Sequence, residues 1–227
     1  MSIKPVVYVL RSLLENTMKK LSICGLWLGL LLALGCNNSN PDSVKEAQKE
    51  NNANADSMQK KQSVTDSSTA VASKEDADFM VKAASGGMLE VELGKLALSH
   101  AARQGVKDFG VMMMHDHGTG GDEIRSLAAG KRIVLPDSVS NDQKKEWDNL
   151  MKKKGLDFDR SYISLMVDDH KEDISEFEKA AKEANDPDIR AFAQNHLAML
   201  RQHLDSAQSL DKKIGRKISA PQKAPPY

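Results

Sequence analysis

The side chains here whose types and spacing suggest chemistry are a few histidines and acids set on otherwise apolar helical faces. At about 100° per residue, Phe79, Ala83, Gly86, Leu93, Ala97 and Ala101 form one apolar stripe. Glu90 falls near its middle, while Glu92 falls on the opposite face. His117 lies within the stripe of Val106, Phe109, Met113, Ile124 and Leu127, whereas His115 points away. His170 and Asp173, one helical turn apart, share the stripe of Tyr162, Met166, Phe177, Ala180 and Ala184. His196 and His203 both fall in the stripe of Ile189, Phe192, Ala193, Leu200, Leu204 and Ala207. Polar groups buried alone are costly, so these need partners. One partner is a transition metal ion, since neutral imidazole with carboxylate suits iron, zinc, copper or manganese. The other is the cluster itself, with Glu90 and Asp173 accepting hydrogen bonds from His117, His170 and His203 and no ion present.

Four helices must position these groups. The first is expected from about Asp76 to Arg103, stopping at Gln104-Gly105, and the second from about Val106 to Ala129, with Gly130 as its stop. Leu135-Pro136 marks a loop. Ser140 and Gln143 form a capping box that opens a short helix ending at Gly155. Asp157 is expected to cap the third long helix, which reaches Ala184. Asn185-Asp186-Pro187 then places Asp186 at the N-cap and Pro187 in the first turn of a helix running to about Ile214. Glu90 lies about 15 residues before the first turn and His117 about 12 after it; His170 lies about 15 before the second turn and His203 about 17 after it. In antiparallel hairpins these pairs are nearly level, so Glu90, His117, His170 and His203 converge from four helices with Asp173 close by. His196 is roughly 10 Å from His203 along its helix, too far to share one ion. The segment from Phe109 to His117 also echoes Tyr162 to His170, an offset of 53 residues. Two related hairpins joined by a longer crossover give an all-α, ferritin-like antiparallel four-helix bundle with a short extra helix in the crossover.

The N-terminus reads as an address. Lys19 and Lys20 precede an apolar run of 15 residues from Leu21 to Gly35, short for a membrane span and suited to a signal peptide. Ala33-Leu34-Gly35-Cys36 resembles a lipobox, which makes Cys36 the expected lipidation site and residues 18–36 a lipoprotein signal peptide. Residues 1–17 are expected to be an over-extended start ahead of Met18. Asn37 in place of Asp favours the outer membrane over inner-membrane retention. Residues 37–74, rich in Asn, Ser, Gln and Lys, are expected to form a disordered tether, with the bundle over 75–214 and a flexible tail over 215–227. Lys+Arg and Asp+Glu are both 32, which argues against nucleic acid as a main partner. Beyond Cys24 and Cys36 the chain has no thiol, so the bundle has no disulfide or Cys-based zinc site. The Met112–Met114 run reads as core filling, and Gly118, Gly120 and Gly121 as weakening the second helix.

The run from Phe79 to Ala97 containing Glu90-Val-Glu-Leu-Gly94, the Val-Lys-Asp-Phe segment, Leu-Met-Val-Asp-Asp-His170 and Leu-Arg-Gln-His203-Leu resemble a bacterial family, domain of unknown function 4142. The resemblance covers about residues 75–212 and implies an exported or outer-membrane protein with a ferritin-like fold. Its motifs map onto Glu90, Glu92, His117, His170 and His203. The chain departs from the family at Gly118-Thr-Gly-Gly121, which puts full helicity there in question, and it lacks paired Glu-x-x-His motifs, so ferroxidase activity is not carried over. No nucleophile–base pair or cofactor loop points to an enzyme. Two functions are expected from the residues: a membrane-anchored metal-binding envelope protein, for metal handling or stress protection, or a structural or interaction protein whose polar network only fixes helix packing.

Overall fold

The computed structural model describes residues 41–61 and 72–215. The expected start, the signal peptide with Cys36, residues 37–40 and 62–71 of the expected tether, and the tail after Gly215 lie outside the described residues. The described helices are α1 (Ser43–Lys61), α2 (Lys74–His100), α3 (Gln104–Lys131), α4 (Asn141–Met151), α5 (Gly155–Glu183) and α6 (Pro187–Gly215). Among the described residues there is no strand, only an isolated bridge between Ala101 and Gly155. No described helix is long and apolar enough to cross a membrane.

Long helices α2 and α3 form one hairpin and α5 and α6 another. They pack α2 on α5 and α3 on α6, and α4 lies in the crossover between the hairpins. The start of α2 meets the end of α5, where Asp76 accepts from the backbone N–H groups of Asn185 and Asp186 at 3.0 and 2.9 Å. The start of α5 meets the end of α2, where Asp159 accepts from Ala102 and Arg103 at 3.0 and 3.1 Å. All neighbours are therefore antiparallel, and the chain must traverse the bundle between α3 and α5. This is the crossover topology of a ferritin-like bundle.

Those two buried aspartates reveal a duplication. Asp159 follows Asp76 by 83 residues, and Asn185 follows Ala102 by the same 83. At that offset Phe79 matches Tyr162, Ala97 matches Ala180, Val106 matches Ile189 and Phe109 matches Phe192. Glu90 matches Asp173. The echo at 53 residues pairs α3 with α5, which are not equivalent in the fold; it arises because both carry an inward aromatic, Met and His at the same helical spacing.

Several element boundaries differ from the sequence pattern. Helix α2 ends at His100 rather than Arg103, because the backbone turns extended at Ala101 and Asp159 takes the N–H groups of Ala102 and Arg103. Helix α3 runs past Gly130 to Lys131, and Arg132 takes the left-handed position at φ 57°. Ile133, buried, closes that end by donating to the Ala128 carbonyl at 3.0 Å, so an apolar anchor replaces the glycine stop. The Gly118-Thr-Gly-Gly121 segment is helical throughout, held between α2 and α6 despite its weak propensity. Gly155 does not end the short helix: α4 stops at Met151, and Gly155, at φ 65°, opens α5. Asp157 provides no cap; it lies exposed in the first turn of α5 against Arg160, and the N-cap position is Lys154. The caps at Ser140 with Gln143 and at Asp186 form as the sequence indicates.

The largest departure is α1, which falls within the expected disordered tether over 37–74. Asp42 accepts from Val44 and Lys45 at its start and also from Asn141 at the start of α4. Asn51 donates to the Val134 carbonyl and accepts from the Val134 N–H, both at 2.8 Å. With Ala47 buried, these polar contacts dock a helix that lacks an apolar stripe of its own. A hydrophobicity argument misses it because its anchors are side-chain amide and carboxylate groups.

The core is layered along the bundle. Leu93, Val106, Phe109, Phe158, Tyr162 and Met166 fill the end nearest the α2–α3 turn. Met80, Ile124, Ala128 and Ile189 fill the other end. Phe177, Ala180, Ala193 and Leu200 pack between α5 and α6. The ionisable groups lie between these layers.

Candidate metal centre

Each polar member comes from the middle of a different long helix. Glu90 on α2 is 1% exposed, His170 on α5 is 0%, His203 on α6 is 1% and His117 on α3 is 9%. The three imidazole centroids form a near-regular triangle, with 5.6 Å between His117 and His170, 5.2 Å between His117 and His203, and 5.3 Å between His170 and His203. His117, His170 and His203 each present a ligand atom within 4.8 Å of the others, and Glu90, His170 and Asp173 form a second such group that shares His170. All five residues singled out in the sequence are thus brought together. His115 is out at the surface, its side chain 79% exposed. His196 is set apart, donating through Nδ1 to the Phe192 carbonyl at 2.9 Å with Nε2 at 3.5 Å from Glu123.

Hydrogen bonds fix which nitrogens face inward. His170 Nδ1 lies 3.0 Å from the Met166 carbonyl, an acceptor only, so Nδ1 carries the proton and Nε2 carries the lone pair. His203 Nε2 lies 2.9 Å from Asp116 Oδ2. Burial pushes Asp116 up, but its bonds from His115 and His203 outweigh this and hold it below its usual value, so the carboxylate is ionised and Nε2 donates. His203 Nδ1 is then also a lone pair. These two lone-pair nitrogens, His170 Nε2 and His203 Nδ1, are 3.3 Å apart. His117 Nδ1 contacts Glu90 Oε2 at 2.8 Å, leaving His117 Nε2 and Glu90 Oε1 buried without hydrogen-bond partners.

Burial opposes charge throughout the cluster. It pushes Glu90 up to about 8. Asp169 is likewise pushed up to about 8, by burial and then by Glu90. Asp173 rises well above its ordinary value through burial, Glu90 and Asp169. Burial drives His117 down to about 4 against the pull of Asp169 and Asp116. His170 falls to about 3 through burial and then through His117 and His203. His203 is lowered by burial despite its bond to Asp116. The imidazoles are therefore neutral at pH 7, the form that binds metal.

Residues 60–210 match the family described as domain of unknown function (DUF4142). The chain belongs to that family. A crystal structure of a DUF305 fragment from Deinococcus radiodurans resembles this DUF4142 chain with TM-score 0.57 at 10% identity, covering 63% of this chain and 99% of that one. At that identity the likeness shows the fold alone. No curated protein matches the chain.

The structure adds three groups that the helical stripes of this DUF4142 chain do not single out. Asp116 holds His203, its Oδ2 accepting from Nε2 at 2.9 Å. Asp169 is a further acid beside the cluster, half-buried, with its Oδ2 buried and unpartnered. The Tyr162 hydroxyl is also buried without a partner, and burial and Glu90 push it above its ordinary value.

Proposed function

We propose that this chain is a membrane-tethered envelope lipoprotein whose bundle holds a transition metal ion through His117, His170 and His203, with Glu90 and Asp173 adjoining, and acts in metal handling or stress protection. The observation that supports this most is the 3.3 Å approach of His170 Nε2 to His203 Nδ1. Both nitrogens carry lone pairs, so nothing within the cluster bonds them to each other. Two nitrogens bound to one tetrahedral ion at about 2.0–2.1 Å lie about 3.3 Å apart. A cation would also take the unpartnered His117 Nε2. With Glu90 then ionised, His117 Nδ1 donates to Glu90 Oε2, a carboxylate behind a ligating imidazole.

The test is titration of the metal-free full-length protein with zinc, copper, iron and manganese, by calorimetry. At least one ion is expected to bind tighter than about 0.1 mM, roughly −5.5 kcal/mol. His170→Ala should abolish this, while His100→Ala, at the end of α2, should leave it intact. No binding, or equal loss in both variants, defeats the metal reading and leaves a network that only fixes packing. For the anchor, mass spectrometry should find lipid on Cys36 with nothing N-terminal to it, and Cys36→Ser should accumulate unprocessed precursor. A mature chain retaining Met18 would refute the lipoprotein assignment.

A further inference from the structure

A chamber adjoins the polar cluster. A cavity of about 700 Å³ runs from Glu90, His117 and Asp173, between α2, α3 and α6, to the crossover loop at Leu135 and Val139. Its walls are largely apolar, including Met88, Phe177, Phe192 and Leu200. Cavities of roughly 300–1,000 Å³ with apolar walls and a few converging polar groups are the usual form of small-molecule sites.

Three glycines of α3 line the chamber. They are Gly118, Gly120 and Gly121, where better helix formers would ordinarily stand. A Cβ at Gly118 would meet nothing within 4 Å, whereas one at Gly120 would come 3.3 Å from His196 Nε2. Added side chains would meet open space at Gly118, the His196 ring at Gly120 and the Arg125 guanidinium at Gly121. Independently of the glycines, one buried polar atom of a lining residue that the metal reading leaves unused, Glu90 Oε1, has no hydrogen-bond partner. Glu90 Oε1 lies 3.4 Å from His170 Nδ1, but that nitrogen donates to Met166.

We infer that the chamber binds a small, mostly apolar molecule whose head group carries one lone-pair donor for the metal and one N–H or O–H for Glu90. This rests on the metal reading above. Three imidazoles leave a tetrahedral ion one open position. An azole head satisfies both requirements, with one ring nitrogen to the ion and the N–H to Glu90 Oε1, while an aryl body lies against Phe177 and Phe192.

The experiment compares 4-phenylimidazole with imidazole on the full-length protein, with and without cobalt(II), an ion whose visible spectrum reports its ligands. Binding of cobalt is measured first. On the loaded protein, 4-phenylimidazole should alter the cobalt spectrum and bind at least about tenfold tighter than imidazole, because the phenyl group leaves water. Gly118→Leu, a better helix former that adds bulk at the chamber wall, should lose at least about tenfold in 4-phenylimidazole affinity while holding cobalt within about twofold. Equal affinity for the two azoles, or a Gly118→Leu protein that binds 4-phenylimidazole as the parent does, overturns the inference. If cobalt does not bind, the metal reading fails by that result alone. The chamber is then judged on the metal-free protein labelled with ¹⁵N-glycine. Shifts of the Gly87, Gly118, Gly120 and Gly121 amides with a Kd below about 1 mM support it, and unmoved amides refute it.

Discussion

At the scale of single residues, the centre is defined less by which imidazoles are present than by which nitrogen of each is already committed. The Met166 carbonyl sets His170, Glu90 contacts His117 and Asp116 sets His203. Asp116 is the most accessible of the three, with a side chain 30% exposed, so it can be changed without emptying the core. Asp116→Asn should lower metal affinity about tenfold to a hundredfold, as loss of a carboxylate behind a ligating His commonly does, with the metal-free melting temperature nearly unchanged. Calorimetry of parent and variant checks this, and an unaltered affinity would mean that Asp116 does not orient His203. Helical spacing was enough to select Glu90, His117, His170, Asp173 and His203, because each interrupts an apolar stripe. It could not select Asp169, which is set about 100° round the helix from His170 and is half-buried by packing, with Glu146 of α4 adding to its shift. Nor could it show that the Tyr162 hydroxyl is unpartnered, since a tyrosine in an apolar stripe reads as core. The missed groups owe their roles to the neighbours that cover them, which periodicity along one helix does not encode.

Among the elements, the α2–α3 hairpin is closed by direct backbone contact. A Cβ on Gly94 would lie 2.6 Å from the Gly110 carbonyl oxygen, and one on Gly110 would lie 2.8 Å from that of Gly94. Helix propensity alone favours alanine over glycine by about 1 kcal/mol, but here the added methyl must push two helices apart. Gly110→Ala is therefore expected to destabilise the bundle by about 1–3 kcal/mol, the usual cost of overpacking. Gly130→Ala is the control: nothing lies within 4 Å of its Cβ, so it should be neutral or stabilising by up to about 1 kcal/mol. Urea unfolding measures both, and a stabilised Gly110→Ala protein would show that the contact tolerates separation. Existence and order of the four long helices and the short crossover helix followed from apolar spacing and from the Ser140 and Asp186 caps. The true duplication did not stand out, because its anchors are the single residues Asp76 and Asp159, which act across hairpins rather than within one. Helix α1 escaped for a related reason: Asn51 holds it to Val134 in the crossover loop and Asp42 to Asn141 at the start of α4, both more than 80 residues away.

For the whole molecule, a mid-bundle layer of acids and imidazoles makes stability depend on pH in a way that an apolar core does not. In the unfolded chain carboxyls titrate near 4 and imidazoles near 6.5. In the folded, metal-free chain Glu90 and Asp169 are pushed up to about 8, while His117 and His170 are pushed down to about 4 and about 3. Stability rises with pH wherever the unfolded chain binds more protons. The imidazoles thus contribute stability that is full above about 6.5 and is lost as pH falls toward 3–4. The acids contribute stability that is full below about 4 and is lost as pH rises through about 8. Between about 4 and 6.5 the two effects oppose each other; above 6.5 only the acids differ between the states, and the folded chain holds the extra protons. The metal-free domain should therefore lose stability from pH 6.5 to 8.5, with a melting temperature lower by on the order of 5 °C. A bound cation changes the sign, because it favours ionised carboxylates and needs neutral imidazoles, both of which high pH supplies. With saturating metal the alkaline loss should vanish or invert. Melting curves at pH 6.5 and 8.5, with and without metal, separate the cases. A metal-free protein with no alkaline loss would mean that Glu90 and Asp169 ionise inside the fold without penalty, and that the strain a cation is argued to relieve is absent.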